Sequence, residues 1–161
     1  MKVQIVFTEP SSNFGKFVRF MIGGKFTHAH FLFVSNRLTR TYEAFPPRIR
    51  LANENLYPDA TDVIELPFNH REAEALLDVA IEDSQKCIYG ADDAFRIFVR
   101  SRISKSLARW LGRKWQDSHT ETCTTLVVKR LRHIWPDFGG EDAMEFTPDE
   151  VYQALLEKLK E

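Results

Sequence analysis

The chain has 161 residues, 43% of them hydrophobic, and a formal net charge of -1. One domain over residues 1–161 can therefore bury its own core, and the chain lacks the overall basic charge that favours nucleic-acid binding, so no nucleic-acid partner is expected. Two cysteines are too few for a disulfide framework, and the N-terminus shows no apolar leader, so we expect a reducing, cytoplasmic setting. Apolar runs fall far short of the roughly 20 residues that span a bilayer, and no transmembrane segment is expected.

The first elements in chain order are a strand and a short helix. Residues 2–7, KVQIVF, alternate and are rich in β-branched side chains, which predicts a strand. After a turn, GKFVRFMI over residues 15–22 predicts an amphipathic helix that ends at Gly23 and Gly24.

Three further strands are predicted, which makes the first half of the chain mostly sheet. THAHFLFV, residues 27–34, is an apolar run, and RLTRTYEAF, residues 37–45, is expected to be its antiparallel partner. Pro46 and Pro47 are expected to end that strand, and DVIELPF, residues 62–68, predicts the next one.

The second half of the chain changes to a helical period. A helix is predicted after Asn69, which with Glu72 forms a capping box, and a last helix begins with Thr147 as its N-cap. Between them, IYGADDAFRIFVRSRISKSLARWLGRKW predicts a turn at Gly90 and one or two helical segments whose basic residues form a solvated face. The pattern predicts one α+β domain.

Two histidines lie one residue apart in the second predicted strand. A strand turns alternate side chains to one face, so His28 and His30 point the same way. They can be hydrogen-bonded core groups, zinc ligands, or the base of a cysteine nucleophile. Zinc is disfavoured because no other candidate ligand shows CxxC or HxxxH spacing; those candidates are His70, His119, His133, Cys87 and Cys123.

Cys123 lies in the first turn of a predicted helix that Thr120 or Thr122 can cap. Unpaired backbone N–H groups and the positive end of the helix dipole favour a thiolate at this position. The alternative is an ordinary small buried residue. Cys87 falls near the C-terminal end of the preceding helix, where the dipole disfavours a thiolate, and is expected to be inert. The inward stripe is expected to contain Cys123, Val127, Leu131 and Ile134.

Glu43 is the third candidate, in the segment TYEAF. On a strand it points away from the side taken by Tyr42 and Ala44, and that strand pairs with or lies near the one carrying His28. A carboxylate bonded to the far imidazole nitrogen fixes the tautomer and stabilises the charged ring. The alternative is an exposed residue on a solvated strand face.

Taken in this order, the three segments resemble the circularly permuted papain-like proteins of the NlpC-type superfamily, often called YiiX-like. THAHF matches the family's histidine segment, YEA its carboxylate segment and CTTLV its cysteine segment; IYGADDAF and FTPDEVYQAL resemble the flanking regions. The resemblance implies a small antiparallel sheet or barrel packed against helices, with the cysteine at a helix N-terminus. It favours His28 over His30 as the catalytic histidine. Thr125 and His30 depart from the glutamate and the small residue that many relatives carry there.

The resemblance implies a cysteine hydrolase, an amidase or peptidase, in which Cys123, His28 and Glu43 act through an acyl-enzyme. No cofactor or metal is implied, and relatives act on peptide amides or, in divergent branches, on acyl lipids. The expected substrate is therefore a peptide or an acyl amide, ester or thioester. The alternatives are an inactive papain-fold binding protein, in a host or phage interaction, and a zinc-binding protein.

The helix over residues 15–22 has two possible placements, and the sequence does not indicate the oligomeric state. If the helix packs permanently into the core, Phe17 and Phe20 are buried, and this is the expectation. The alternative is a lid close to the histidine.

Overall fold

A computed structural model describes residues 1–11, 13–60, 62–86, 88–89 and 120–161. The architecture is α+β, as predicted. The strands are β1 Lys2–Thr8, β2 His28–Val34, β3 Thr39–Phe45, β4 Arg48–Ala52, β5 Asp62–Glu65, β6 Ile88–Tyr89 and β7 Thr120–Glu121. The helices are α1 Asn13–Ile22, α2 His70–Lys86, α3 Cys123–Arg132 and α4 Pro148–Lys158, with a 3-10 helix at Glu141–Glu145.

The described strands form one sheet in the order β5-β1-β2-β3-β4-β6-β7. The pairs from β5 to β6 are antiparallel, and β6 pairs with β7 in parallel. Thr8 lies opposite His28, and Phe45 lies opposite Arg48. The end of β1, the start of β2 and the turn between β3 and β4 therefore meet at one end of the sheet, which we call the His28 end.

The two faces of β2 have different roles. Ala29, Phe31 and Phe33 belong to the hydrophobic core, which also contains side chains of α2, α3 and α4. Because side chains alternate along a strand, His28 and His30 lie on the other face. α3 packs against β2 and β3, which brings its first residue to the sheet that carries the histidines.

Strand β4 was not predicted, because the proline pair was expected to end the strand before it and no strand was assigned directly after the prolines. Pro46 and Pro47 instead form a two-residue turn, and the chain returns along β3 with Ala44 opposite Ile49. Ile49 is fully buried, so the return strand is held by the core although prolines precede it. This strand supplies a side chain to the candidate site.

The expected burial of Phe17 and Phe20 is wrong. Phe17 is 56% and Phe20 73% exposed, although α1 lies where the sequence predicted it. The apolar pattern indicates which side of the helix is hydrophobic, but the core of the sheet is already occupied by α2, α3 and α4. Both rings consequently remain at the surface.

The start of β2 is fixed by the last helix. The Asp149 carboxylate of α4 accepts hydrogen bonds from the backbone N–H groups of Lys25, at 2.8 Å, and Phe26, at 3.1 Å. Gly24 has φ +114, and a Cβ there would lie 2.3 Å from Asp149 Oδ2. Glycine is therefore required at position 24 for the close approach of the Asp149 carboxylate. This contact holds the backbone just before His28.

Some predictions fall on residues outside this description. These are the placement of Cys87, the turn at Gly90 and the basic helical segments between residues 90 and 119. Among the described helices, none combines the length and apolarity needed to cross a membrane.

Candidate active site

The N-terminal turn of α3 is shaped by a capping box of two threonines. The Thr122 side chain accepts a hydrogen bond from the Thr125 N–H, and the Thr125 hydroxyl accepts one from the Thr122 N–H at 2.6 Å. Thr125 thus fills the capping position that glutamate or glutamine usually takes. Cys123 follows the cap directly, so it occupies the first helical position, as predicted.

The structure brings Cys123, His28 and Glu43 together in one cluster. His28 Nε2 lies 2.5 Å from Glu43 Oε2, and the Cys123 thiol lies close enough to the same imidazole for each group to shift the pKa of the other. Since Nε2 is taken by the carboxylate, Nδ1 is the ring nitrogen available to the sulfur. The His28 side chain is 14% exposed and Glu43 is fully buried, so the alternative of an exposed Glu43 is wrong.

Two residues that the sequence did not predict hold the Glu43 carboxylate. Arg50 Nε donates to Oε1 at 2.6 Å, and the Tyr57 hydroxyl donates to Oε2 at 2.8 Å. Arg50 lies opposite Glu43 on β4, so recognising that strand would have suggested this pair. Tyr57 lies on the loop after β4, where no sequence pattern indicated a role.

Burial and the neighbouring hydrogen-bonding or charged groups act in opposite directions on the pKa values of Glu43, His28 and Cys123. Burial alone would raise the pKa of Glu43, but hydrogen bonds from His28, Tyr57 and Arg50 lower it to about 2. Burial also opposes the charged form of His28, yet Cys123 and Glu43 raise its pKa to about 9. Burial would raise the pKa of Cys123, but His28 and the N–H groups of Ala29 and Thr124 lower it. The site therefore favours a thiolate–imidazolium pair.

His30 differs sharply from its neighbour. It is fully buried, and neither ring nitrogen has a hydrogen-bond partner, so the interpretation as a hydrogen-bonded core histidine is wrong for His30. The centre of its ring lies 4.5 Å from the centre of the Tyr57 ring and 5.4 Å from that of the His28 ring. Burial and the neighbouring His28 lower its pKa to about 3, so His30 is neutral at physiological pH.

We expect His30→Leu to leave the reactivity of Cys123 intact. A buried polar group without partners carries a desolvation penalty of about 1–3 kcal/mol, so removing it should leave the melting temperature unchanged or raise it. Alkylation of Cys123 and thermal denaturation measure the two effects, with His28→Leu as the matched variant. Equal loss of thiol reactivity in both variants would contradict the assignment of separate roles.

A metal ion fits this cluster poorly. His28, His30 and Glu43 each offer a ligand atom, and these atoms all lie within 4.8 Å of one another. This spacing is compatible with the zinc alternative. However, both Glu43 oxygens already accept hydrogen bonds, one of them from the permanently charged Arg50. A cation would have to displace or face this guanidinium. Stoichiometric zinc in protein purified without chelator would reverse this conclusion.

A second buried polar cluster supports α3 from behind the site. Arg130 donates to Asp83 of α2, with Nε at 2.8 Å, and to Glu121 Oε1 at 3.2 Å. Tyr42 of β3 donates to the same Asp83 carboxylate, and Lys129 pairs with Glu121 at 3.0 Å. The cluster ties α3 to α2, to β3 and to the strand just before Cys123.

Comparisons of the chain with protein-family models, curated proteins and solved structures give no match. The case for a function therefore rests on the geometry of the described residues.

Proposed function

We propose that this protein is a cysteine hydrolase with a permuted papain-like fold, in which Cys123, His28 and Glu43 act through an acyl-enzyme. The observation that carries the proposal is the hydrogen bond of His28 to the buried Glu43 at a site where the first residue of α3, Cys123, lies beside the same imidazole. A nucleophile, a base and a group that orients the base are what covalent acyl transfer requires. The expected substrate is a peptide or an acyl amide, ester or thioester.

In the first half of the reaction, the Cys123 thiolate attacks the substrate carbonyl and forms a carbon–sulfur bond. The negative charge that develops on the carbonyl oxygen is stabilised by backbone N–H groups in the first turn of α3, including that of Cys123. His28 then gives its proton to the leaving nitrogen, oxygen or sulfur. The original acyl bond breaks, and an amine, alcohol or thiol departs.

In the second half, water attacks the thioester carbonyl while His28, now neutral, accepts a proton from it. The carbon–sulfur bond breaks, and the carboxylic acid product leaves. The sulfur departs as the thiolate, so the original ion pair with His28 is restored. Glu43 keeps the imidazole oriented throughout and stabilises its charged form.

The experiment that tests the proposal is alkylation of Cys123 by iodoacetamide as a function of pH. We expect Cys123 to be labelled at lower pH than an ordinary thiol, because only the thiolate reacts and the pKa of Cys123 is lowered by His28. His28→Ala removes the imidazolium, so rapid labelling should then require higher pH. Site-resolved mass spectrometry follows Cys123 separately from Cys87, which serves as the reference thiol.

The opposite result has a definite meaning. If Cys123 reacts no faster than Cys87 and His28→Ala changes nothing, the ion pair is absent and the hydrolase proposal fails. The fold would then serve binding, and partners rather than substrates should be sought.

A further inference from the structure

Helix α1 carries aromatic and basic side chains at the protein surface. Phe17 and Phe20, 56% and 73% exposed, are three residues apart and therefore share one side of the helix. Lys16 and Arg19, also exposed and three residues apart, lie along the adjacent side. The helix contains no acidic residue. Aromatic and cationic stripes of this kind are typical of helices that lie in the interface of a membrane.

Exposed aromatic and basic side chains are also present at the His28 end of the sheet. α1 joins the end of β1 to the start of β2, so it lies at this end. Phe45 is 43% exposed, and its ring lies 6.4 Å from that of His28. Arg48, opposite Phe45 in the register, is exposed. Aromatic side chains flanked by basic ones therefore extend from α1 to the rim of the candidate site.

We propose that α1 and this rim dock the protein onto an anionic lipid bilayer. Insertion of Phe17 and Phe20 into the headgroup region buries apolar surface, and Lys16 and Arg19 attract anionic lipids. Of the acidic residues near this end, Glu9 and Asp62 pair with Lys25, at 3.6 Å and 2.8 Å, which offsets the repulsion between these two carboxylates and such a surface.

A second copy of the chain is a poorer occupant of this surface. At 150–250 Å² for a whole aromatic side chain, the exposed parts of Phe17 and Phe20 amount to roughly 190–320 Å². A stable protein interface buries about 800 Å² on each partner. A bilayer requires no such complementary area, because it accommodates single inserted rings.

The substrate consequence rests on the proposed function. If Cys123 is the nucleophile, its substrate is an amphiphile whose carbonyl group lies at the lipid–water interface. The docked α1 precedes His28 by only a few residues, so the candidate site would face that interface. Docking itself does not require catalysis.

The test is flotation of the full chain with vesicles of phosphatidylcholine containing about one third phosphatidylglycerol. We expect the protein to float with these vesicles and much less with pure phosphatidylcholine. Phe17→Ser and Phe20→Ser should each lower the partition coefficient about tenfold, and Lys16→Gln and Arg19→Gln each about fivefold. Ile81→Ser, at a partly exposed apolar residue on α2, is the matched control and should float like the original protein.

Alkylation of Cys123 shows whether the hydrolase proposal fails independently of membrane docking. The Phe17→Ser/Phe20→Ser variant should keep the rapid alkylation of the original protein, which also shows that it is folded. His28→Ala should lose this rapid alkylation at the same pH and still float. Failure of the original protein to float, or undiminished flotation of the double variant, would overturn docking. A dimer in analytical ultracentrifugation that disappears in the double variant would overturn it in favour of self-association.

Discussion

Cys123→Ala is expected to lower the hydrolysis of p-nitrophenyl acetate at least about a thousandfold, because the alanine methyl group cannot form the proposed acyl-enzyme. Release of p-nitrophenolate is followed by absorbance, and the acyl-enzyme by the mass of the intact protein. Cys123 is at the edge of the core rather than fully inside it, so the variant should fold. Its circular dichroism spectrum should match that of the original protein.

His28→Ala should cause a comparable loss of hydrolysis, since the two groups act as a unit. The rate of the original protein should rise with pH as the thiolate forms, and fall again as His28 loses its proton at a pKa of about 9. Glu43→Gln should shift the fall in rate at high pH to lower pH, because the Glu43 carboxylate raises the pKa of His28. Cys87→Ser is the control with unchanged rate. Retention of more than about a tenth of the rate by Cys123→Ala would contradict the mechanism.

Arg130→Met is expected to lower the free energy of unfolding by about 3–5 kcal/mol, the usual effect of removing one partner from a buried ion pair. Arg130 is 7% and Glu121 3% exposed. Without the guanidinium, Asp83 loses the contacts from Arg130, and Glu121 keeps only Lys129 among the ion pairs described here. The expected result is a variant that unfolds at much lower denaturant concentration.

Urea unfolding measures this effect, and Arg132→Met is the matched control on the same helix. Among the described residues, Arg132 donates to the backbone carbonyls of Phe138 and Gly140 and to no carboxylate, so its removal should cost about 1–2 kcal/mol. If Arg130→Met costs no more than Arg132→Met, the buried cluster does not secure α3.

Local sequence patterns were sufficient for most elements and for the position of Cys123 at a helix start. Thr147 and Glu150 form the predicted capping box at the start of α4, and Asn69 and Glu72 do so at α2. These signals are local because a cap contacts N–H groups only a few residues away. The position of Cys123 followed from the same kind of signal at Thr122.

The remaining features depend on contacts between distant segments. Prolines usually end strands, and only the pairing of Ile49 with Ala44 shows that the sheet continues. Arg50 and Tyr57 reach Glu43 through that continuation. The exposure of Phe17 depends on which other helices fill the core, information that the periodicity of α1 does not contain.

The hydrogen bond from Lys25 to Asp149 joins residues 124 positions apart, and this separation has a consequence for biosynthesis. During translation, His28 and Glu43 leave the ribosome long before Cys123, and Cys123 leaves before Asp149. A nascent chain therefore carries the histidine and the carboxylate without their thiol, and then the thiol without the clamp that fixes the start of β2. The arrangement of His28, Glu43 and Cys123, with the start of β2 held by Asp149, is therefore complete only after the last helix has been synthesised.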